Sequence, residues 1–233
     1  GTDIWQGPVW SFTTIGTPEK AKNPQPVSRA FETGVNIDLT WSPDQQATSH
    51  DIFFSTDYSD VSNAFRFKGD INGDGLVDYN DLSLIVERWL CEPITEPDVY
   101  SDLYIDGKIN LADFSSLASD WVKPANPNFK GNLEGNSTVF STPLLAPATT
   151  YYWRIDERNF LGTAKGDIWN FSTKGTQALS PNPANSQNYV NLFQTALLWE
   201  AGAEALSHDV YFGTDPTPDS TEFQGRQTST RFE

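Results

Sequence analysis

The chain has no methionine and a single cysteine among its 233 residues. One thiol excludes an intramolecular disulfide. Cys91 follows Trp89 and Leu90 and has only Arg88 as a nearby cation. It therefore reads as a small apolar residue packed at a helix end, not as an activated nucleophile. Basic residues are scarce: 15 Lys and Arg stand against 31 Asp and Glu, a formal charge of −16. Nucleic-acid binding needs a basic footprint, so that class is excluded. No run approaches the roughly 20 apolar residues that span a bilayer, so no membrane span is expected. Histidine occurs twice, in Ser-His-Asp triplets at His50 and His208. Neighbours on a strand point to opposite faces, so neither triplet can act as a catalytic triad. Asp156-Glu157 fails as a glycosidase pair for a related reason, because such enzymes set two carboxyls about 5–9.5 Å apart across a cleft. Phosphate loops, zinc spacings and nucleophile elbows are missing. No catalytic set emerges.

What the chain does have is acid in a pattern. Residues 65–128 hold 12 Asp and Glu against 5 Lys and Arg. Within them, 70–81 read DINGDGLVDYND. Asp70, Asn72, Asp74, Asp78 and Asp81 fall at loop positions 1, 3, 5, 9 and 12, with Gly75 at the sharp turn of position 6. Leu76 offers its carbonyl at position 7. Calcium takes six to eight hard oxygen ligands at flexible geometry, and this spacing wraps them about one point. The loop recurs 32 residues later: Asp102, Tyr104, Asp106, Lys108, Asn110 and Asp113 take the matching ligand positions and Gly107 the turn. An apolar stripe follows each copy, Leu82, Ile85, Val86 and Trp89, then Phe114, Leu117, Ala118 and Trp121. Spacings of i, i+3, i+4 and i+7 predict an amphipathic helix after each loop. Two calcium sites are expected. The first should be the tighter, since it gathers four carboxylates where the second gathers three and carries Tyr104 at position 3.

This paired unit, from about Lys68 to Lys123, resembles a dockerin, an EF-hand-like module of two loop–helix repeats around two calcium ions. Asp81 and Asp113 at position 12, where the EF-hand pattern has Glu, follow the dockerin habit. Cellulosomal dockerins usually carry a Ser-Thr-like pair near positions 10 and 11; here stand Tyr79-Asn80 and Leu111-Ala112. The resemblance implies a cohesin-like protein partner and an extracellular, secreted or cell-surface setting, in a parent protein acting on polysaccharides or assembled at a surface.

A second repeat has a longer period. LTWSPDQQATSHDIFFSTD from Leu39 matches LLWEAGAEALSHDVYFGTD from Leu197, an offset of 158. WSFTTIGT from Trp10 matches WNFSTKGT from Trp169, an offset of 159. Phe129-Lys130-Gly131 matches Phe223-Gln224-Gly225 at only 94. The difference between 158 and 94 is 64, the length of an insertion carried by one copy alone. It falls between about Ala64 and Phe129, so the dockerin-like unit is expected inside a loop of a repeat of about 95 residues. Alternation at Val35, Ile37, Leu39 and Trp41, around Phe53, and at Tyr151, Trp153 and Ile155 predicts half-buried strands separated by turns.

Leu39-Thr40-Trp41, Thr149 to Asp156 followed by Asn159 and Gly162, and Trp169 to Thr173 resemble the second, sixth and last strands of fibronectin type III domains. The expected fold class is mainly β: fibronectin type III-like sandwich repeats with a small helical EF-hand pair in a loop. On this reading, 1–14 is the last strand of a preceding repeat and 17–174 a full repeat interrupted by 65–128. Residues 176–233 are then a truncated repeat, and the chain is a portion of a longer protein. The expected function is non-catalytic calcium binding and protein interaction. The alternatives are a carbohydrate-binding module, using aromatic faces to stack a glycan, and a purely structural stalk.

Overall fold

The structure, a computed structural model, describes residues 8–91, 98–121, 123–191, 193 and 196–233. In chain order the first half contributes β1 (Lys22–Gln25), β2 (Ala30–Thr33), β3 (Asp38–Ser42), β4 (Ser49–Ser55), α1 (Tyr58–Asn63), α2 (Tyr79–Glu87) and α3 (Leu111–Asp120). Then come β5 (Phe129–Glu134), β6 (Val139–Ser141), β7 (Thr150–Asn159), β8 (Gly162–Ala164) and β9 (Trp169–Thr173). The last part holds β10 (Leu179–Asn182), β11 (Leu197–Glu200), β12 (His208–Tyr211), β13 (Phe223–Gln227) and β14 (Arg231–Phe232). The protein is mainly β.

Two sheets build the main body. One runs β1-β3-β6; the other runs β2-β9-β7-β4-β5, with β8 on β7. They close on one core in which Leu39 and Trp41 from the first sheet meet Ile52, Phe54, Trp153, Ile155 and Phe171 from the second. Alternation explains the side chains of β3, whose burial reads exposed, buried, half-buried, buried, exposed. It does not explain β4. There the pattern predicts one wet face, yet six of its seven residues are buried. The outer face is covered by α1 and β5, where Phe53, Val61, Ala64 and Phe129 form a second small core.

Residues 56–128 lie between the paired neighbours β4 and β5. Their two ends are stitched together: Asn126 Nδ2 donates to the Phe65 carbonyl at 3.0 Å, and Phe54 N donates to the Asn128 carbonyl at 2.9 Å. A helix leaves its last carbonyls without intrahelical partners. Here buried Arg154 of β7 donates to the carbonyls of Val61, Ser62 and Ala64 at the end of α1, while Asp156 balances its charge at 2.7 Å.

The C-terminal strands repeat the pairing of the first sandwich. β10-β11-β14 mirror β1-β3-β6, and β12-β13 mirror β4-β5. Ile52 pairs with Gly131 and Val210 with Gly225; Phe53 pairs with Phe129 and Tyr211 with Phe223. Trp199 meets His208 edge to face at 5.4 Å, as Trp41 meets His50 at 5.7 Å. Among the described residues no strand pairs with the edge of β12 opposite β13. Residues 8–14, part of an expected strand, are exposed and in no strand. Residues 1–7 of that expected strand lie outside the described residues.

Candidate functional site

The acidic repeat folds into two loop–helix units around a common core. Val77, Ile85, Leu103, Ile109 and Leu117 are buried together, with Ile71 and Trp121 packed on them. Ile71 and Leu103, Val77 and Ile109, and Ile85 and Leu117 are each 32 apart, so each loop supplies the same three contacts. The helical stripe is narrower than its spacing suggests. Val86 on α2, Trp89 beyond its end and Phe114 on α3 are exposed; Cys91 is exposed too, not packed.

In loop 1 each acid folds the backbone around itself. Asp70 Oδ1 accepts from Gly73 N at 2.8 Å and Oδ2 from Gly75 N at 3.0 Å. Asp81 Oδ1 accepts from Ile71 N and Asn72 N at 2.7 and 3.1 Å, and Oδ2 from Asp78 N at 2.9 Å. Asp81 and Asp78 thereby form a capping box at the start of α2, satisfying amides that a helix N-terminus leaves orphaned. Asn72 Oδ1 accepts from Asp74 N at 3.0 Å, and Asp74 Oδ1 from Leu76 N at 2.9 Å. Loop 2 repeats the scheme. Asp102 accepts from Asp106 N and Gly107 N at 3.1 and 2.9 Å. Asp113 accepts from Tyr104 N and Asn110 N at 2.8 Å each, and Asp106 Oδ1 from Lys108 N at 3.0 Å. Tyr104 points to solvent and supplies no counterpart to the Asn72 bond.

These loops bury charge. Asp70 is 2% exposed, and Asp81 and Asp113 are 0% exposed. Burial pushes the Asp70 carboxyl up to about 6, against the pull of Arg66 and the amides of Gly75 and Gly73. Asp102 and Asp113 accept from backbone amides of their own loop. A buried carboxylate is costly unless paired with a cation or a metal, so both loops are electrostatically suited to one. The donor set of carboxylates, an amide and backbone carbonyls is the hard-oxygen chemistry of calcium. Among the described residues no three His, Cys, Asp or Glu side chains stand already gathered in metal-holding spacing.

Loop 1 has a second set of partners that its motif does not announce. Arg66, buried before the loop, donates from Nε to the Asp70 carbonyl at 2.9 Å and from Nη2 to the Ile71 carbonyl at 3.0 Å. Its Nε also lies 3.3 Å from Asp70 Oδ2, and its Nη1 donates to Asp51 Oδ1 on β4 at 3.2 Å. Asn132 N of β5 donates to the Gly73 carbonyl at 3.2 Å. One signal was available: 32 residues beyond Arg66 stands Asp98, so the repeat breaks there.

The other candidates are structural. His50 is buried, with Nδ1 2.6 Å from Glu157 Oε2 and Nε2 2.9 Å from the Gly135 carbonyl. Asp51 lies on the opposite face with Arg66, Arg158 and Asn132, so Ser49-His50-Asp51 is no triad. Burial lowers the His50 pKa, but the hydrogen bond and charge of Glu157 outweigh it and hold it above 6.5. Trp41, Trp153, Trp169 and Tyr151 are all buried in the sandwich core.

Two loop–helix units thus share one core and carry hard-oxygen side chains at matching positions. Residues 68–119 match the Dockerin type I domain family, whose members bind calcium and cohesins and occur in extracellular proteins. Domains of that family are non-catalytic, calcium-dependent protein-interaction modules. No curated protein matches the chain. Among the described residues no helix is long and apolar enough to cross a membrane.

Proposed function

We propose that this chain is a non-catalytic, extracellular segment of a polysaccharide-degrading or cell-surface protein, in which fibronectin type III-like sandwiches carry a two-calcium dockerin-like module. The observation that carries this reading is the pair of buried position-1 and position-12 carboxylates, repeated at an offset of 32 inside the matched segment. Asp70, Asn72, Asp74, Asp78, Asp81 and the Leu76 carbonyl would hold one ion. Asp102, Asp106, Asn110, Asp113 and the Lys108 carbonyl would hold the other, with Tyr104 the weak member. Bound calcium supplies the positive charge that lets these acids share one turn, and the ordered helices then present a surface to a cohesin-like partner. The equivalent strand registers support dividing the chain into a full repeat over 17–174, interrupted by 65–128, and an opening part over 176–233.

The partner is read as protein in preference to glycan because Trp41, Tyr151, Trp153 and Trp169 of the first sandwich are core residues. Cohesin modules and a glycan array, each probed with calcium and with chelator, test the choice. Calcium-dependent cohesin capture with a silent array is the expected result. Glycan binding that survives chelation would overturn it.

A further inference from the structure

Loop 1 is built into the sandwich and loop 2 is not. Asp51 sits mid-strand in β4, paired across the sheet to Asp156 of β7 and Asn132 of β5. Its carboxylate is 3% exposed and accepts from Arg66, from Asn132 Nδ2 at 2.7 Å and from Arg158 at 3.0 Å. Arg66 continues the line to the carboxylate and carbonyl of Asp70, the first ligand position. Beside it, Gly73 lies so close to β5 that a Cβ there would stand 2.6 Å from Asn132 Cβ. An added Cβ at Gly75 would stand 3.1 Å from Phe129 of β5. Loop 2 has neither support. Gly107 has open space around it, and the acids of loop 2 accept from amides of their own loop. Its link to the sandwich is made upstream, where the Tyr100 and Thr48 hydroxyls meet.

We propose that Arg66 and Asn132 are positioning residues that fasten the first ligand loop to the sheet, so that calcium bound in loop 1 is coupled to the stability of the sandwich. The inference rests on reading loop 1 as a calcium site. Groups that orient metal ligands from behind set affinity, and their loss typically weakens metal binding about 10–100-fold. Removing one partner of a buried ion pair also strands the other charge; here that charge belongs to a strand of the sandwich core. Coupling is reciprocal, so an ion that is held better by the fastened loop must in turn hold the sheet. The guanidinium acts here by its fork of donors to two carbonyls and two carboxylates, a geometry an ammonium cannot reproduce.

The test uses the full chain with Asp106→Ala, so that loop 1 is read alone. Calcium affinity is measured by titration calorimetry, and hydrogen exchange is followed separately in α2 and in β4 and β7. Calcium is expected to slow exchange in α2 and also in β4 and β7. Arg66→Lys, which keeps the charge and loses the fork, and Asn132→Ala, the milder change, should each weaken loop 1 binding about 10–100-fold. At saturating calcium both should retain protection in α2 and lose the added protection in β4. Calcium that protects α2 while β4 exchange stays unchanged in the parent chain overturns the coupling, and this measurement needs no variant to fold. Arg66→Lys binding as tightly as the parent overturns the positioning role. Absence of both heat and α2 protection overturns the calcium reading itself, and the coupling with it.

Discussion

Loops 1 and 2 share most of their hydrogen bonds, the capping box included, yet they live in different surroundings. At position 4, loop 1 has Gly73 at φ +78° and loop 2 has Ile105 at φ +55°. The backbone demand is the same left-handed turn. What differs is the neighbour: Gly73 is pressed against Asn132, while Ile105 is 77% exposed. A left-handed turn costs a side-chain-bearing residue about 1–2 kcal/mol, which a loop can tolerate. A Cβ driven to within 2.6 Å of the Asn132 Cβ, which its strand holds in place, cannot be tolerated so easily. Glycine at position 4 is therefore required by packing and not by the calcium loop itself. The same contrast separates Arg66 from its counterpart Asp98: a guanidinium is useful only where Asp51 waits to receive it.

The hardest test of this contrast removes one site at a time. Asp74→Ala should abolish the tighter event in a calcium titration and Asp106→Ala the weaker one. In the parent chain, chelator should lower the helical circular dichroism signal and leave the β signal largely intact. The module's core gathers five buried apolar residues against twelve in the sandwich, so its binding free energy is largely folding free energy. Two equal sites, or helicity indifferent to chelator, would contradict this. Next in size, Gly73→Ala should destabilise the chain by about 2 kcal/mol or more, summing a strained turn and a forced contact, as read from thermal unfolding in calcium. Tyr104→Asp should tighten loop 2 about tenfold by restoring a fourth carboxylate, since affinity follows charge count; unchanged affinity would mean Tyr104 is no defect. Ile105→Gly should stabilise by only about 0.5 kcal/mol, because relief of the turn is offset by glycine's entropy of about 0.5–1 kcal/mol.

The smallest expected effect concerns pH and the sandwich that supports loop 1. His50 is held above its unfolded value of 6.5, and Glu157 is also raised, by burial first and against the opposing pull of His50. The folded state thus holds protons more tightly than the unfolded chain. The stability from His50 is full below 6.5 and is lost as pH rises through its folded value, so the melting temperature should decline above 6.5. Asp51, Asp44 and Asp156 are the other acids whose fields reach this pair. His50→Gln should flatten that decline in melting curves recorded with saturating calcium.

The loops could be read from sequence because ligand chemistry fixes residue types at fixed spacing; the main stretches of the sandwich showed through period-two alternation and matched offsets. The limits were of another kind. Val86 and Trp89 fit the helical spacing, but a core of five buried residues offers little surface to cover Val86, and Trp89 falls beyond the end of α2. Phe53 looked solvent-facing because nothing local foretells that α1 folds back over β4. Arg66, Asp51 and Asn132 are isolated polar residues far apart in sequence, and only the sheet pairing of β4 with β5 brings them together.

Arg154 has a consequence for how such a chain can change over time. It grips the end of α1 by three backbone carbonyls, and carbonyls are the same whatever side chains surround them. Where the excursion closes, at Phe65 and Asn126, the accepting group is again a carbonyl. The sheet therefore seals its own rim without consulting the cargo that leaves it. Such a port is indifferent to identity: a different hairpin or a plain turn could be grafted between those two residues, provided its ends meet. The contacts of Arg66 and Asn132 are of another kind, since they depend on the side chains and close-packed glycine of this particular segment.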